Sequence, residues 1–342
     1  MTTEAVAVTP QDRNLFQTRL AYKPHEYPEA YAYFTAQAQS HWLPEEYPLE
    51  GDVDDWRSGV LTSSEKYLIQ HILKLFTQVE VVIEDYWSRM VAKWFKKPEI
   101  QMMANTFAAM EAIHIDSYEK LTASLGMEDH SAFLTEPTAR AKIDRMIAPK
   151  GKSRAEIALS LAVFSAFNEG VALFSSFAIL QHFSRAPRNA LKGVAQIIAA
   201  SIRDESLHST AGCWLFRTLV AENPDVLTPE LKARIVEAAE LTVRLEDDFL
   251  RQAFSFGPIE GLTFDDMQVF VRSRTNAKLG DLGLAPIYLD LDKAALKRMS
   301  WFDKLNGDRL DDFFAKRPTD YAKNAIDWSS VFVDVSTEGK YA

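Results

Sequence analysis

The chain has 342 residues, with 38 basic against 48 acidic side chains and a formal net charge of −10. This acidic balance argues against a nucleic-acid-binding protein. Hydrophobic residues make up 47% of the chain and glycines number only 13. Because the apolar residues recur with helical spacing almost throughout, the sequence predicts an all-α fold with a large core. It has no repeat, low-complexity stretch or Pro/Gly/Ser-rich linker, which indicates one large domain.

The cysteine content and the N-terminal sequence indicate the cellular compartment. Cys213 is the single cysteine, so the chain has no internal disulfide framework and suits a reducing environment. Residues 1–14 are polar and lack the basic and apolar regions of a secretion signal. No apolar run reaches transmembrane length. We therefore expect a cytoplasmic protein.

Start and stop signals predict a series of long helices. A capping box at Thr62–Glu65 opens the first, and Pro98 begins the second. A capping box at Ser153–Glu156 opens the third, and the fourth begins near Asn189. The four predicted spans are about 62–95, 98–125, 153–186 and 189–222, followed by a fifth long helix from Thr228 and shorter ones at 263–279 and 290–305.

Two Glu-x-x-His motifs lie within these predicted helices, at Glu111–His114 and Glu205–His208. Spacing of i, i+3 places a carboxylate and an imidazole on one helix face, where both reach the same ion. A Glu-x-x-His match alone is weak evidence, because such matches easily occur by chance. The prediction rests on the apolar surroundings of both histidines, since a buried charge needs a partner. Two such helices plus one Glu from each of two others form the dinuclear site of a ferritin-like helical bundle.

The sequence identifies one of the two remaining carboxylate ligands more clearly than the other. Glu80 and Glu84 are i, i+4 neighbours on one stripe of the first helix, so helical spacing does not choose between them. Glu169 is the only acidic residue between Glu156 and Asp204, and it lies among aliphatic and aromatic residues. Four carboxylates with two imidazoles and no thiolate favour iron or manganese over zinc or copper.

Tyr118 and Asp204 extend the predicted site. Tyr118 follows Glu111 by seven residues and His114 by four, so its phenol projects from the ligand face. A phenol beside an oxygen-activating metal pair is open to oxidation to a tyrosyl radical; the alternative is a packing Tyr with its hydroxyl on a ligand carboxylate. Asp204 directly precedes Glu205, where it is able to accept the ring N–H of a ligating His.

Five segments in consistent order give the chain a family resemblance over residues 14–332. It resembles the small, radical-generating subunit of class I ribonucleotide reductase. The segments are QSHWLPEE from Gln39, FTQVE from Phe76, MEAIHIDSY from Met110, FNEG from Phe167 and RDESLH from Arg203.

The resemblance implies roles for individual residues. It implies Glu80 rather than Glu84 as ligand and Glu111 and Glu205 as bridges between the ions, and it implies a homodimer. The implied ligands are Glu80, Glu111 and His114 at one ion and Glu169, Glu205 and His208 at the other. The implied radical-transfer residues are Trp42, Asp204 and His114, with Tyr321 as the relay tyrosine of a C-terminal tail; Tyr341 is its rival, because the tail continues past Phe332.

The sequence does not decide which metals form the pair. Many relatives carry Asp where this chain has Glu80. Glu there resembles a subgroup that uses manganese with iron, but that subgroup lacks the tyrosine retained here as Tyr118. Two iron ions, a mixed pair and two manganese ions are therefore all compatible, and the oxidising equivalent resides either on Tyr118 or on the metals.

The cysteine count implies a partner. Deoxynucleotide synthesis requires a cysteine thiyl radical and a redox cysteine pair, which one cysteine cannot supply. With no nucleotide-binding signature in the chain, substrate and effectors are expected on a large catalytic subunit. The predicted organisation is an N-terminal segment 1–27, a dimetal helical domain 28–316 and a partner-docking tail 317–342.

The predicted function is thus the small subunit of ribonucleoside-diphosphate reductase, which activates oxygen, stores a radical on Tyr118 and passes it to the large subunit. The alternative is a ferritin-like dimetal oxidase or monooxygenase acting on a small organic substrate. That alternative needs neither the Trp42–Asp204 pair nor an aromatic tail. An iron-storage ferritin is disfavoured because the chain is much longer than the bundle alone.

Overall fold

The computed structural model describes residues 13–127, 136–146 and 151–315, apart from the side chains of residues 80–82, 84, 145–146 and 307–315. The described residues form helices and no strand, which confirms the predicted all-α, ferritin-like class. The helices are α1 (Pro28–Gln39), α2 (Glu50–Ser58), α3 (Ser63–Asp85), α4 (Ala92–Trp94), α5 (Pro98–Ser124), α6 (Pro137–Met146), α7 (Arg154–Leu161), α8 (Phe174–His182), α9 (Lys192–Glu222), α10 (Pro229–Ala253), α11 (Phe264–Asp281) and α12 (Lys293–Ala315).

The predicted capping boxes are present. The Thr62 hydroxyl accepts from the Glu65 N–H at 3.2 Å, and the Glu65 carboxylate accepts from the Thr62 N–H at 2.7 Å. Ser153 and Glu156 repeat the arrangement at the start of α7. Each box satisfies N–H groups that the first helical turn leaves unpaired, which is why both helix starts were readable from sequence.

The helix predicted over 62–95 is interrupted. α3 ends at Asp85, a π-helical segment follows at Tyr86–Val91, and α4 ends at Trp94. The helix predicted over 153–186 likewise comprises α7, a second π segment at Ala162–Ala172, and α8. A π turn inserts an extra residue without changing the apolar character of the segment, so the sequence pattern did not show it.

The start predicted near Asn189 for the fourth helix is wrong by three residues. Asn189 and Leu191 both adopt positive φ angles of 54°, a left-handed conformation that a right-handed helix excludes. α9 therefore begins at Lys192. Asp52 on α2 accepts from the N–H groups of Gly193 and Val194 at 2.9 and 2.8 Å and so satisfies the first turn of α9.

The second π segment forms the centre of the core. All eleven residues of Ala162–Ala172 are buried, and α9, α10 and α11 pack against this segment. The prediction that no apolar run reaches transmembrane length is wrong for the surrounding span Arg154–His182, which is long and apolar enough to cross a membrane. The whole of its apolar window is, however, buried in the protein. Its hydrophobicity therefore serves the packing of the core.

A buried ion pair fixes α6 to α10. Lys142 Nζ lies 2.7 Å from Glu246 Oε1, with side-chain exposures of 2% and 1%. Glu246 Oε2 also accepts from the Ser175 hydroxyl on α8 at 2.5 Å, and the ammonium lies 4.3 Å from the Phe249 ring centroid. Burial raises the pKa of Glu246 and lowers that of Lys142, and the charge of each partner opposes this.

We expect Lys142→Ala to lower the free energy of unfolding by about 3 kcal/mol, because it leaves Glu246 buried without its cation. Replacing both partners, as Lys142→Met with Glu246→Leu, removes the uncompensated charge and should cost much less. Urea unfolding of the three proteins provides the measurement. A double variant no more stable than Lys142→Ala would contradict this account of the pair.

Candidate metal centre

Five of the six predicted ligands meet in the core. Glu111 and His114 lie on α5, Glu169 on the second π segment, and Glu205 and His208 on α9, all with no exposed surface. Donor atoms of Glu111, Glu169, Glu205 and His208 lie within 4.8 Å of one another. The structure thus brings together two Glu-x-x-His motifs that are 94 residues apart in the chain, as Glu111 and Glu205 show.

Glu111 lies between the two imidazoles. Its Oε2 is 3.0 Å from His114 Nδ1 and its Oε1 is 2.6 Å from His208 Nδ1. Glu205 Oε1 is 3.1 Å from His114 Nδ1, so the second motif's carboxylate also faces the first motif's imidazole. Glu169 Oε1 lies 3.9 Å from His208 Nδ1. Both imidazoles therefore present Nδ1 to the carboxylate cluster.

Four residues considered in the sequence analysis have side chains outside what the structure describes. Glu80 and Glu84 are on α3, but their side chains are not described. The preference for Glu80 therefore stays a prediction. Tyr321 lies beyond residue 315, together with its rival Tyr341 and the rest of the predicted tail, so their roles stay predictions as well.

The pKa values of the clustered carboxylates depend on the positive charge beside them. Burial raises the pKa of Glu111, but His208 and His114 outweigh it and lower the value to about 2. Burial and the charge of Glu111 raise the pKa of Glu205 to about 7. Burial lowers the pKa of His114, yet Asp204 and Glu111 outweigh it and hold it well above its usual value. Buried carboxylates packed this closely require cations beside them.

The donor set fits a pair of metal ions. Glu205 Oε2 is buried and has no hydrogen-bond partner among the side chains that the structure describes. A buried carboxylate oxygen left without a donor is costly in a dry core, and metal coordination removes that cost. Carboxylate oxygens with imidazole nitrogens, and no thiolate among them, suit iron or manganese.

Asp204 connects the cluster to Trp42. Trp42 Nε1 donates to Asp204 Oδ2 at 2.6 Å, and the same oxygen lies 3.2 Å from His114 Nε2. The Trp42 and His114 rings are stacked, with centroids 5.8 Å apart. The structure thus brings the three residues of the predicted transfer path into one hydrogen-bonded row.

Gln37 is part of this network, and sequence analysis missed it. Its Nε2 donates to Asp204 Oδ1 at 3.0 Å and its Oε1 lies 3.0 Å from His208 Nε2. One buried amide therefore orients the outer side of both the Asp204 carboxylate and the His208 imidazole. Its signal was weak, because it is one of two glutamines in a helix of low amphipathicity, five residues before Trp42.

Trp87 was missed as well. Its Nε1 donates to Glu169 Oε1 at 2.6 Å, and its ring centroid lies 5.9 Å from that of His208. Trp87 follows Glu80 by seven residues, two helical turns, which was the available sequence signal. The hydrogen bond holds the Glu169 carboxylate in place.

Tyr118 is fully buried on α5, one turn beyond His114. Its ring centroid lies 6.4 Å from that of His114 and 4.9 Å from that of Phe76 on α3. The phenol therefore lies beside the ligand cluster on the face that its spacing predicted.

Close packing of α9 on the second π segment sets the position of Glu169 relative to His208. A Cβ at Gly212 would lie 1.8 Å from Ser165 Oγ and 2.3 Å from Ser165 Cβ. Gly212 follows His208 by four residues and Ser165 precedes Glu169 by four. Only glycine allows the two ligand-bearing elements to approach this closely.

We expect Gly212→Ala to push these elements apart and to lower the metal content per chain. Adding Ser165→Gly removes the obstructing side chain and should restore metal content, whereas Ser165→Ala keeps its Cβ and should not. Gly51→Ala, at a helical glycine with open space around it, is the matched control. Elemental analysis with circular dichroism is the measurement, and failure of Ser165→Gly to rescue would contradict the steric account.

Gln37→Leu should weaken metal affinity by roughly 10- to 100-fold, because it removes the outer partner of His208 and one partner of Asp204. Gln39→Leu, an exposed position on the same helix, should leave affinity unchanged. Competition with a chelator of known affinity measures both. Equal affinities in the two variants would show that the amide does not orient the ligands.

Comparison with known proteins places this geometry in a family. The family profile "Ribonucleotide reductase, small chain" matches residues 19–293. The chain is 34% identical over 337 residues to a probable ribonucleoside-diphosphate reductase small subunit of Invertebrate iridescent virus 3, covering 92% of this chain and 88% of that protein. It is 26% identical to the ribonucleoside-diphosphate reductase subunit beta of Chlamydia pneumoniae, covering 87% and 88%.

Solved structures show the same fold. A putative class I ribonucleotide reductase from Bacillus halodurans superposes with a TM-score of 0.72 at 20% identity, covering 80% of this chain and 99% of that one. The dimanganese(II)-NrdF of Streptococcus sanguinis superposes with a TM-score of 0.70 at 21% identity, covering 83% and 100%. With four-fifths of its length matched by the family profile, the chain belongs to the ribonucleotide reductase small chain family.

Proposed function

We propose that this small subunit of ribonucleotide reductase holds two metal ions between α3, α5, α9 and the second π segment, stores a radical on Tyr118 and passes it to the large catalytic subunit. The observation that carries the proposal is the buried cluster of Glu111, Glu169, Glu205 and His208 donors within 4.8 Å. Family membership decides against a ferritin-like oxidase of small organic substrates.

The proposed ligands are those that the resemblance implies. Glu80, Glu111 and His114 would hold one ion and Glu169, Glu205 and His208 the other, with Glu111 and Glu205 shared between them. The position of Glu111 between both imidazoles supports its bridging role. Iron is the first candidate, and manganese or a mixed pair the second. When bound, the metal pair would activate oxygen and so supply the oxidant for Tyr118.

Tyr118 is the proposed site of the stored radical. A phenol becomes a neutral radical when it loses one electron and its proton, and full burial keeps small reductants away from it. Phe76 packs against the ring and limits its motion. The proximity of its ring to that of His114 supports exchange of an electron with the metal centre.

Trp42, Asp204 and His114 are the proposed path outward. The Asp204 carboxylate holds the Trp42 N–H and the outer nitrogen of His114 through one oxygen, Oδ2. Trp42 is nearly buried, at 2% exposure, whereas the adjacent Leu43 is 45% exposed. The indole therefore lies just beneath the surface, where an electron is able to pass to a docked partner.

Cys213 supports the division of chemistry between two subunits. It is fully buried, and burial raises the pKa of its thiol to about 12. Such a thiol forms little thiolate and is closed to a nucleotide substrate. The reducing cysteines must therefore belong to the large subunit, whose partnership follows from the family. We also propose a homodimer, a cytoplasmic location and docking through residues 317–342.

Reconstitution tests the function directly. The metal-loaded chain, its large subunit and a ribonucleoside diphosphate should together form deoxynucleotide, and neither subunit alone should do so. Tyr118→Phe should bind metal as the unsubstituted chain does, because the shape of the side chain is nearly unchanged, yet lose the radical signal and turnover. Electron paramagnetic resonance and product assay are the measurements. Full turnover in Tyr118→Phe would place the oxidising equivalent on the metals.

The tail prediction separates relay from docking. Tyr321→Phe should keep affinity for the large subunit, metal content and the Tyr118 radical, but abolish turnover, because phenylalanine has no oxidisable hydroxyl. Tyr341→Phe is the matched comparison and should retain turnover. The reverse pattern would assign the relay to Tyr341. Turnover retained in both variants would remove the relay role from the tail tyrosines.

A further inference from the structure

Oxidisable rings also lead away from Glu169. The Trp87 indole donates to Glu169 Oε1 at 2.6 Å. The Tyr86 ring centroid lies 5.8 Å from that of Trp87 and 6.0 Å from that of Trp94, with near-perpendicular rings in both pairs. Trp87 and Tyr86 are 0% and 1% exposed, while Trp94 is partly buried. A row of indole, phenol and indole therefore connects a proposed ligand to the surface.

This row is distinct from the path through Trp42. Trp87 contacts Glu169 and the His208 ring, whereas Trp42 contacts Asp204 and the His114 ring. Phenylalanine in place of Tyr86 would fill nearly the same core space, but its ring is not oxidisable at accessible potentials. All three rings of the row are oxidisable, which packing alone does not require.

The surface end of the row carries positive charge. Lys93 and Lys96 are exposed on either side of Trp94 in the chain, and Lys96 Nζ donates to the Ala92 carbonyl at 2.8 Å. This is a local basic site on a chain whose net charge is −10. Such a site attracts small anions to the Trp94 ring, although the net charge of the whole chain is negative.

We propose that Trp94, Tyr86 and Trp87 form a second one-electron route, through which a small anionic reductant of the ascorbate class reduces the oxidised metal centre. This inference rests on the proposed function, since the oxygen-oxidised centre is the oxidant. The centre gains one electron from Trp87. The Trp87 indole recovers it from Trp94 across the Tyr86 ring, and the donor, which loses one electron, restores Trp94. Each indole keeps its N–H, and no bond forms or breaks in the protein.

The test measures reduction of the centre rather than turnover. The chain is loaded with metal and oxidised with oxygen in a Tyr118→Phe background, and ascorbate is then added without oxygen while the visible absorbance of the centre is followed. Trp94→Phe and Trp87→Phe should each slow reduction by at least about tenfold, a barrier increase of about 1.4 kcal/mol. Trp56→Phe is the control, a partly buried Trp that also lies beside a lysine, Lys66, at 5.6 Å.

Metal content measured for every variant separates the possible outcomes. Trp94→Phe leaves the ligands and the Glu169 hydrogen bond in place, so it tests the route even if Trp87→Phe disturbs the site. Equal rates in Trp94→Phe and Trp56→Phe would overturn the route, as would slowing only in Trp42→Phe. Failure of the proposed function would instead appear earlier, as no metal pair or no Tyr118 radical in the unsubstituted chain, and would remove this inference with it.

A charge test uses the same assay. Lys93→Gln with Lys96→Gln should slow reduction by ascorbate, and added salt should reduce the difference from the unsubstituted chain. Reduction by neutral hydroquinone should be the same in both proteins. Unchanged ascorbate rates in the double variant would contradict entry of the donor at Trp94.

Discussion

Burial of several carboxylates at one point is the constraint on which the rest of the structure depends. Glu111, Glu169 and Glu205 have no exposed surface and lie within reach of one another. Like charges in a medium of low polarity repel strongly, so the cluster persists only with cations among them. The proposed metal pair would supply that charge, because imidazoles that bind a metal ion are neutral. The helices that carry the ligands are positioned around this requirement.

Close backbone approach makes the cluster possible. Gly212 lets α9 approach Ser165, and a Cβ at Gly170, beside Glu169, would lie 2.8 Å from Ser209 Oγ on α9. Glycines at these two contacts allow α9 to pack closely on the second π segment, along the stretch that carries Glu169 and His208. The π geometry adds to this, since it turns Glu169 relative to a regular helix. The close approach of the two elements therefore costs conformational entropy on folding at two glycines.

Sequence reasoning predicted what is encoded locally. The helical class, both capping boxes and the two Glu-x-x-His motifs follow from spacing within a few residues. The convergence of the motifs was predicted from the ligand pattern of a ferritin-like bundle. Gln37 and Trp87 did not, because their partners lie 167 and 82 residues away and depend on tertiary packing. The π segments and the start of α9 were missed for a different reason. An extra residue does not show in a segment such as Ala162–Ala172, which is buried on all sides and therefore has no polar face to shift. A positive φ at Leu191 leaves hydrophobic periodicity unchanged.

The imidazoles of the centre are not independent of each other. Asp204 faces His114 through one oxygen and binds Gln37 through the other, and Gln37 faces His208. Rotation of either imidazole therefore disturbs hydrogen bonds that orient the other. Trp42 donates to the same carboxylate, so the residue nearest the surface shares an acceptor with the ligand network. A partner that moved Trp42 on docking would thus disturb the hydrogen bonds that orient both imidazoles, which would couple docking at this surface to the proposed metal centre.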